Sequence, residues 1–220
     1  MIGEEIDLML HYPKAKRNVT ERVAKKTELD RQVARQFGKE FFDGSRDQGY
    51  GGYHYHPRFW QEVIKTFKEK YQLSDRSSVL DIGCAKGFMM FDLATLIPGI
   101  FIKGIDVSSY AIENALEEMK PHCQIANATD LPFDDHSFDL VISITTLHNL
   151  EGDDLVKAIK EIERVKRKSS FITLDAYRDP EEKERMQAWN LTAKTMMHVD
   201  EWKRFFQEVG YTGDYYWFIP

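Results

Sequence analysis

The stretch Val79-Leu-Asp-Ile-Gly-Cys-Ala-Lys-Gly87 decides the fold. Residues 79–82 are a short apolar run of strand length, Gly83 and Gly87 punctuate the turn that follows, and residues 87–96 have the composition of a helix. A strand that passes through such a turn into a helix opens a βαβ unit, and the pattern repeats downstream. Residues 100–106 are a second strand followed by a helix over 109–120, and 123–126 a short third strand. Residues 138–144 carry no charge after Asp139 and so form a fourth strand covered on both faces. A helix over 152–166, a fifth strand over 171–175, helices over 180–194 and 199–209, and a last strand over 215–219 complete the alternation. The expectation is a doubly wound, mostly parallel α/β sheet spanning 76–220.

Residues 1–75 differ in character. From Asn18 to Phe42, Val19, Val23, Val33, Phe37 and Phe41 recur at helical spacing, and Asn18 with Glu21 forms a capping pair, which predicts one long amphipathic helix. Asp43-Gly-Ser-Arg-Asp-Gln-Gly-Tyr-Gly-Gly-Tyr-His-Tyr-His-Pro57 holds four glycines and three tyrosines and cannot be a helix. Phe59, Val63, Ile64 and Phe67 then mark a short helix ending before Ser74. This part is expected to be a helical cap with an aromatic, glycine-rich lid loop.

Charge narrows the class of partner. The chain of 220 residues has 30 Lys and Arg against 36 Asp and Glu, a net charge of −6 that opposes a polyanionic partner. Nucleic acid is therefore not expected. No stretch reaches the ~20 apolar residues of a membrane span, and Cys84 and Cys123 lack the spacing of a disulfide framework or zinc knuckle. A cytoplasmic protein acting on a small molecule is expected.

Chemistry centres on the first turn, because ligands of open parallel sheets bind beyond the carboxyl ends of the strands. Asp106 closes the second strand nineteen residues beyond Gly87, placed to accept hydrogen bonds from a ribose diol. In the register of a dinucleotide fingerprint the chain reads Gly83, Ala85, Phe88, so two of three glycines are missing. That disfavours a nicotinamide oxidoreductase and favours a ligand with ribose but no pyrophosphate.

At these positions the sequence resembles the class I S-adenosylmethionine-dependent methyltransferases, in particular the small-molecule group that includes the quinone-biosynthesis methyltransferases. The likeness rests on residues 79–87, on Gly104-Ile-Asp-Val-Ser108, on Asn127-Ala-Thr-Asp-Leu-Pro-Phe133, and on Ser137-Phe-Asp-Leu-Val-Ile-Ser143 leading to Leu147-His148. The resemblance implies a Rossmann-like fold, S-adenosylmethionine as cofactor and S-adenosylhomocysteine as product. It further implies that Asp81, Gly83, Cys84, Ala85 and Gly87 wrap the methionine part and that Asp106 holds the ribose. Val107 would pack on the adenine, and Asn127 and Ala128 would meet its edge. Ser143, closing the fourth motif, joins this set. Asn127 stands where the family commonly has Asp, and its carbonyl oxygen can accept the same hydrogen bond. Ala85 replaces a usual glycine, so the turn there is expected to be one an L-residue tolerates.

Beyond the ends of strands four and five lie Thr145, Thr146, His148 and Asn149, then Asp175, Tyr177 and Arg178. His148 has the ordinary pKa of a general base near neutrality, and Asp175 could orient it; the alternative is that each serves a local hydrogen bond. Arg178 suits an anionic group on the substrate or a surface ion pair with Glu181 or Glu182. Tyr50, Tyr53, His54, Tyr55 and His56 are candidates for lid and substrate contacts, or for an aromatic plug holding the cap. His54 and His56 lack a third metal ligand, so no metal is expected. Trp189, Asn190, Met196, Met197 and His198 could reach the acceptor side. The expected activity is methyl transfer to an oxygen or nitrogen of a small polar metabolite, such as a sugar or nucleotide-sugar; a non-catalytic nucleoside-binding module is the alternative. The apolar C-terminal strand, lacking the reversed partner usual in the family, leads to the expectation of a homodimer through that edge.

Overall fold

Short, mostly apolar runs pair side by side here because helices on both faces keep them from water. A computed structural model describes residues 2–13 and 27–220. Its strands are β1 (Ser78–Ile82), β2 (Phe101–Asp106), β3 (Cys123–Ile125), β4 (Phe138–Ile144), β5 (Lys166–Tyr177), β6 (Met197–His198) and β7 (Asp214–Phe218). The order is β3-β2-β1-β4-β5, with β7 and the two-residue β6 both on the outer edge of β5, and every pairing is parallel. This is the Rossmann-like α/β sheet, and its strand order reverses between β1 and β4.

The helices are α1 (Glu28–Ala34), α2 (Lys39–Asp43), α3 (Gln61–Tyr71), α4 (Phe88–Leu96), α5 (Ser109–Glu113), α6 (Gly152–Val165), α7 (Pro180–Trp189) and α8 (Val199–Val209). α6 buries Leu155, Ala158, Ile159, Ile162 and Val165, and α8 buries Trp202 and Phe206, both in one core against β4 and β5. α3 and α4 build the other core with Val63, Ile64, Phe67, Met90 and Leu93.

Two helices end early because a tertiary partner takes a hydrogen bond, and a third is broken by its own backbone. The expected helix over 109–120 stops at Glu113, where the Leu116 amide donates to the Lys86 carbonyl at 3.1 Å. The helix expected to reach residue 194 stops at Trp189: Asn190 closes on Ala193, and the amides of Lys194 and Thr195 both donate to the His148 carbonyl at 2.9 Å. The long helix expected from Asn18 is, within the described residues, two short ones. Thr27 and Asp30 cap the first reciprocally, and the chain breaks at Phe37 (φ 50°) and Gly38. Asn18, Val19, Glu21 and Val23 lie outside the described residues.

The C-terminal edge departs most from expectation. β7 runs parallel to β5, and its far side is taken by the chain's own N-terminal segment: the Ile6 amide donates to the Tyr215 carbonyl and the Tyr215 amide to the Glu4 carbonyl, each at 3.0 Å. Leu8 is buried beside α3 in the core. Residues 4–8 thus join the sheet and its packing, and the open edge on which the homodimer was expected is covered from within the chain.

Candidate active site

Asp81 ends β1 with a side chain buried under the cap. The turn after it winds through Gly83 (φ 83°), Ala85 (φ 49°) and Gly87 (φ 75°), and the amides of Gly83 and Cys84 both donate to the Ile105 carbonyl. Ala85 therefore occupies the left-handed region itself, which costs an L-residue ~1 kcal/mol. Its amide donates to Asp106 Oδ2 at 2.8 Å, which holds it there. The turn is thus one that an L-residue tolerates, at a conformational cost. A Cβ on Gly83 would lie 2.1 Å from Thr146 Oγ1, so only glycine lets the end of β4 approach this turn.

The turn opens on a cavity of about 1070 Å³. Of the residues proposed from sequence for the cofactor, Asp81, Gly83, Cys84, Ala85, Asp106, Val107, Asn127 and Ala128 line it. Gly87 and Ser143 do not. Gly87 packs against Met119, and Ser143 Oγ donates to the Ile82 carbonyl at 3.1 Å as a strut between β4 and β1. Asn127 Oδ1 accepts the Thr129 amide at 3.0 Å, so one of its lone pairs is already used in a local turn.

Two carboxylates meet here without a counter-charge. Asp106 accepts the amides of Ala85 and Ser108 at 2.8 Å each, yet burial still pushes its carboxyl up. Burial and the charge of Asp106 push Asp81 up to about 8. Among the described residues neither has an ion-pair partner; Lys86, inside the same turn, points away to Asp43 (2.6 Å) and the Tyr53 carbonyl (3.0 Å). A ligand carrying positive charge supplies what this pair lacks.

Backbone strain concentrates at the same place. Phe37, Ala85 and Thr145, each near φ 50°, all line the cavity, and Thr145 is β-branched. Such conformations persist where the surrounding structure over-determines them, which is the pattern of functional sites.

His148 sits on a 3₁₀ turn after β4, buried against Asp175 of β5. Its Nδ1 accepts the Asp175 amide at 3.1 Å and lies 3.3 Å from the Asp175 carboxyl. Burial pushes His148 down and Asp175 up, so both favour the neutral form. With Nδ1 occupied as an acceptor, the ring proton of neutral His148 is on Nε2. In this arrangement Nδ1 of His148 serves a local hydrogen bond to β5, the reading set beside the general base in the sequence, and Nε2–H is left as a donor.

The lid residues divide. Tyr50 and Tyr53 line the cavity, with ring centroids 4.4 Å apart, and Tyr53 stacks on Phe88 at 4.7 Å. His54, Tyr55 and His56 do not line it. Tyr55 donates to Asp92 Oδ1 at 2.7 Å, fastening the loop to α4, and His56 Nδ1 accepts the Arg58 amide. Arg178 lines the rim and is paired with Glu182 at 3.7 Å. Tyr177, Met196, Met197 and His198 lie off the cavity; His198 caps α8 and packs on Tyr177. Trp189 and Asn190 line it, as do Asp7, Tyr12, Trp60 and residues 216–220, which sequence reasoning did not select. No periodicity or motif marks those positions.

Comparison with known proteins agrees with this geometry. Residues 80–174 match the family model described as a methyltransferase domain. An uncharacterized protein of Haemophilus influenzae is 34% identical over 152 residues, covering 63% of this chain and 59% of that one. The sterol 4-C-methyltransferase strm-1 of Caenorhabditis elegans is 31% identical over 147 residues, 59% of this chain and 43% of its own. Among solved structures, a chain of the complex containing the Haloferax volcanii Trm112 methyltransferase activator superposes with a TM-score of 0.54 at 20% identity, over 67% of this chain and 71% of that one. This last likeness is one of fold. The chain spans about half the length of the two curated relatives.

Proposed function

We propose, from the premise that the α/β core of this chain is a class I S-adenosylmethionine-dependent methyltransferase domain, that the protein moves a methyl group to an oxygen or nitrogen of a small molecule. The family's cofactor is S-adenosylmethionine. When bound, it supplies a methyl carbon made electrophilic by a positively charged sulfur.

The observation that carries this reading is the buried Asp81–Asp106 pair. Two carboxyl groups held in a shared cavity, neither with an ion-pair partner among the described residues, suit a ligand that brings its own positive charge and a sugar diol. Asp106 keeps lone pairs for the diol after accepting two amides. Asp81 and the Gly83–Gly87 turn hold the charged amino-acid end, and Val107, Asn127 and Ala128 bound the base. His148, Thr145 and Thr146 stand at the adjoining strand end, where an acceptor would be aligned; alignment at near-attack distance is the largest contribution a protein makes to such a displacement.

Titration calorimetry with S-adenosylhomocysteine tests the reading. The wild-type chain binds it, and Asp106→Ala weakens binding ~10- to 100-fold through loss of charge-assisted hydrogen bonds. No heat of binding for the wild type at millimolar ligand would refute the proposal. Tritium transfer from labelled S-adenosylmethionine into fractionated cell metabolites then identifies the acceptor.

A further inference from the structure

Beyond His148 the cavity is walled by aromatic side chains drawn from four separate parts of the chain. Tyr12 comes from the N-terminal segment, Trp60 from the residue before α3, Trp189 from the end of α7, and Phe218 from the end of β7. They stand in two pairs: Tyr12 against Trp60 with ring centroids 5.0 Å apart, and Trp189 against Phe218 at 6.2 Å. Met9, Leu150, Leu191, Ile219 and Pro220 continue the same wall. Aromatic pairs of this kind present faces and edges to a flat π-system.

The cations of the cavity are already engaged. Arg178 is paired with Glu182 (3.7 Å), Lys194 with Glu151 (3.5 Å) and Arg35 with Glu28 (3.4 Å), while Arg46 donates to the Tyr50 carbonyl. Nothing in this set is arranged to receive a diphosphate, which weighs against the nucleotide-sugar expected from sequence. The groups that could take a proton from an acceptor are equally restricted. Nδ1 of His148 is held by the Asp175 amide, the Asp175 carboxyl is buried against that ring, and Asp7 Oδ1 accepts the Met9 amide at 3.0 Å. A sugar hydroxyl, which does not ionise near neutrality, would find no free base among these groups, and the other carboxyls of the cavity, Asp81 and Asp106, belong to the cofactor end in the reading above. A phenol, with the intrinsic acidity of a tyrosine hydroxyl near 10, needs only a donor to stabilise its oxyanion.

We propose that the acceptor is a phenolic ring seated among Tyr12, Trp60, Trp189 and Phe218, with its oxygen held by the Nε2–H of His148 acting as a hydrogen-bond donor. This rests on the methyltransferase reading above. The phenol loses its proton to water, and the oxyanion's electron pair forms the new oxygen–carbon bond. As the carbon–sulfur bond breaks, its pair returns to the sulfur, which leaves neutral. His148 remains neutral throughout and is unchanged at the end.

The test uses the full chain and three measurements. With S-adenosylhomocysteine bound, 4-nitrophenol and phenol are expected to quench tryptophan fluorescence saturably, and glucose and uridine diphosphate glucose are not. Trp60→Leu and Trp189→Leu should each raise the Kd of 4-nitrophenol at least tenfold, with the Kd of S-adenosylhomocysteine changed less than twofold. In turnover, the rising limb of kcat/KM with pH should move with the acidity of the phenol, to lower pH for 4-nitrophenol than for phenol, and His148→Gln, which keeps a donor where Nε2 stands, should retain at least a tenth of the activity that His148→Ala loses. If the sugars bind and the phenols do not, the acceptor class is wrong. A rising limb fixed for both phenols, or equal loss in His148→Gln and His148→Ala, would overturn the donor role. Failure of the wild type to bind S-adenosylhomocysteine would instead refute the methyltransferase reading itself.

Discussion

Burial, together with the adjacent charge of Asp106, pushes the Asp81 carboxyl from 3.8 to about 8, so between those values the folded chain holds a proton that the unfolded chain releases. Raising the pH across that window therefore favours unfolding. The ligand-free protein is expected to lose thermal stability steadily from pH 5.5 to 8, and Asp81→Asn to flatten that dependence, as read by scanning calorimetry; a wild-type Tm that rises over this range would contradict the assignment. A positively charged ligand opposes the shift. Binding of S-adenosylhomocysteine, which carries an ammonium group, should release protons near pH 7 and tighten as pH rises toward 8, which titrations in two buffers of different ionisation enthalpy would show. At Ala85 the cost is conformational and visible only in three dimensions: the sequence marks the residue as a departure from glycine, and the fold places it at φ 49° all the same.

Helix α2, the lid loop, the cofactor turn and α5 are fastened together through one ammonium group. Lys86 Nζ, almost wholly buried, bridges Asp43 and the Tyr53 carbonyl, while Asp43 also accepts the Tyr53 amide (3.0 Å) and the Tyr110 hydroxyl (2.7 Å). The result holds the Asp43 carboxyl down to about 2; burial alone would raise it, and the three donors with the charge of Lys86 outweigh that. Removing one member of a buried ion pair leaves the other uncompensated and costs about 3–5 kcal/mol, toward the lower figure here because Asp43 keeps some exposure. Lys86→Met is thus expected to lower the urea midpoint and to speed release of S-adenosylhomocysteine at least tenfold in stopped-flow fluorescence. Release at the wild-type rate would show that the cap does not hold the ligand. The short helices teach a related lesson: α5 ends where the Leu116 amide finds the Lys86 carbonyl, a contact that helix propensity does not contain.

At the scale of the whole molecule, seven parallel strands bring residues 81–87, 106–108, 126–128 and 144–149 to one edge, and the two chain ends close the other side of the cavity. The N-terminal segment does this by lying along β7, where Lys70 and Lys203 pair with Glu4 (2.6 Å) and Glu5 (2.8 Å). Ile6→Pro deletes the donor to Tyr215 and frees an apolar edge. The variant should lose ~1–2 kcal/mol of stability and self-associate at concentrations where the wild type does not, measured by denaturation and sedimentation. An unchanged sedimentation coefficient would show that the segment is dispensable for shielding the edge. The amino-acid sequence by itself pointed to six of the seven strands, their parallel class and the residues proposed for the cofactor, because each depends on periodicity or on a motif a few residues long at a strand end, whereas the two-residue β6 carries no such signal. Asp81, Gly83, Asp106 and Asn127 were legible for that reason. Only the tertiary structure decided the acceptor half, the coverage of β7 and the orientation of His148. Tyr12, Trp60, Trp189 and Phe218 are far apart along the chain and meet only through packing, and the ring tautomer of His148 is set by an amide donated from a neighbouring strand.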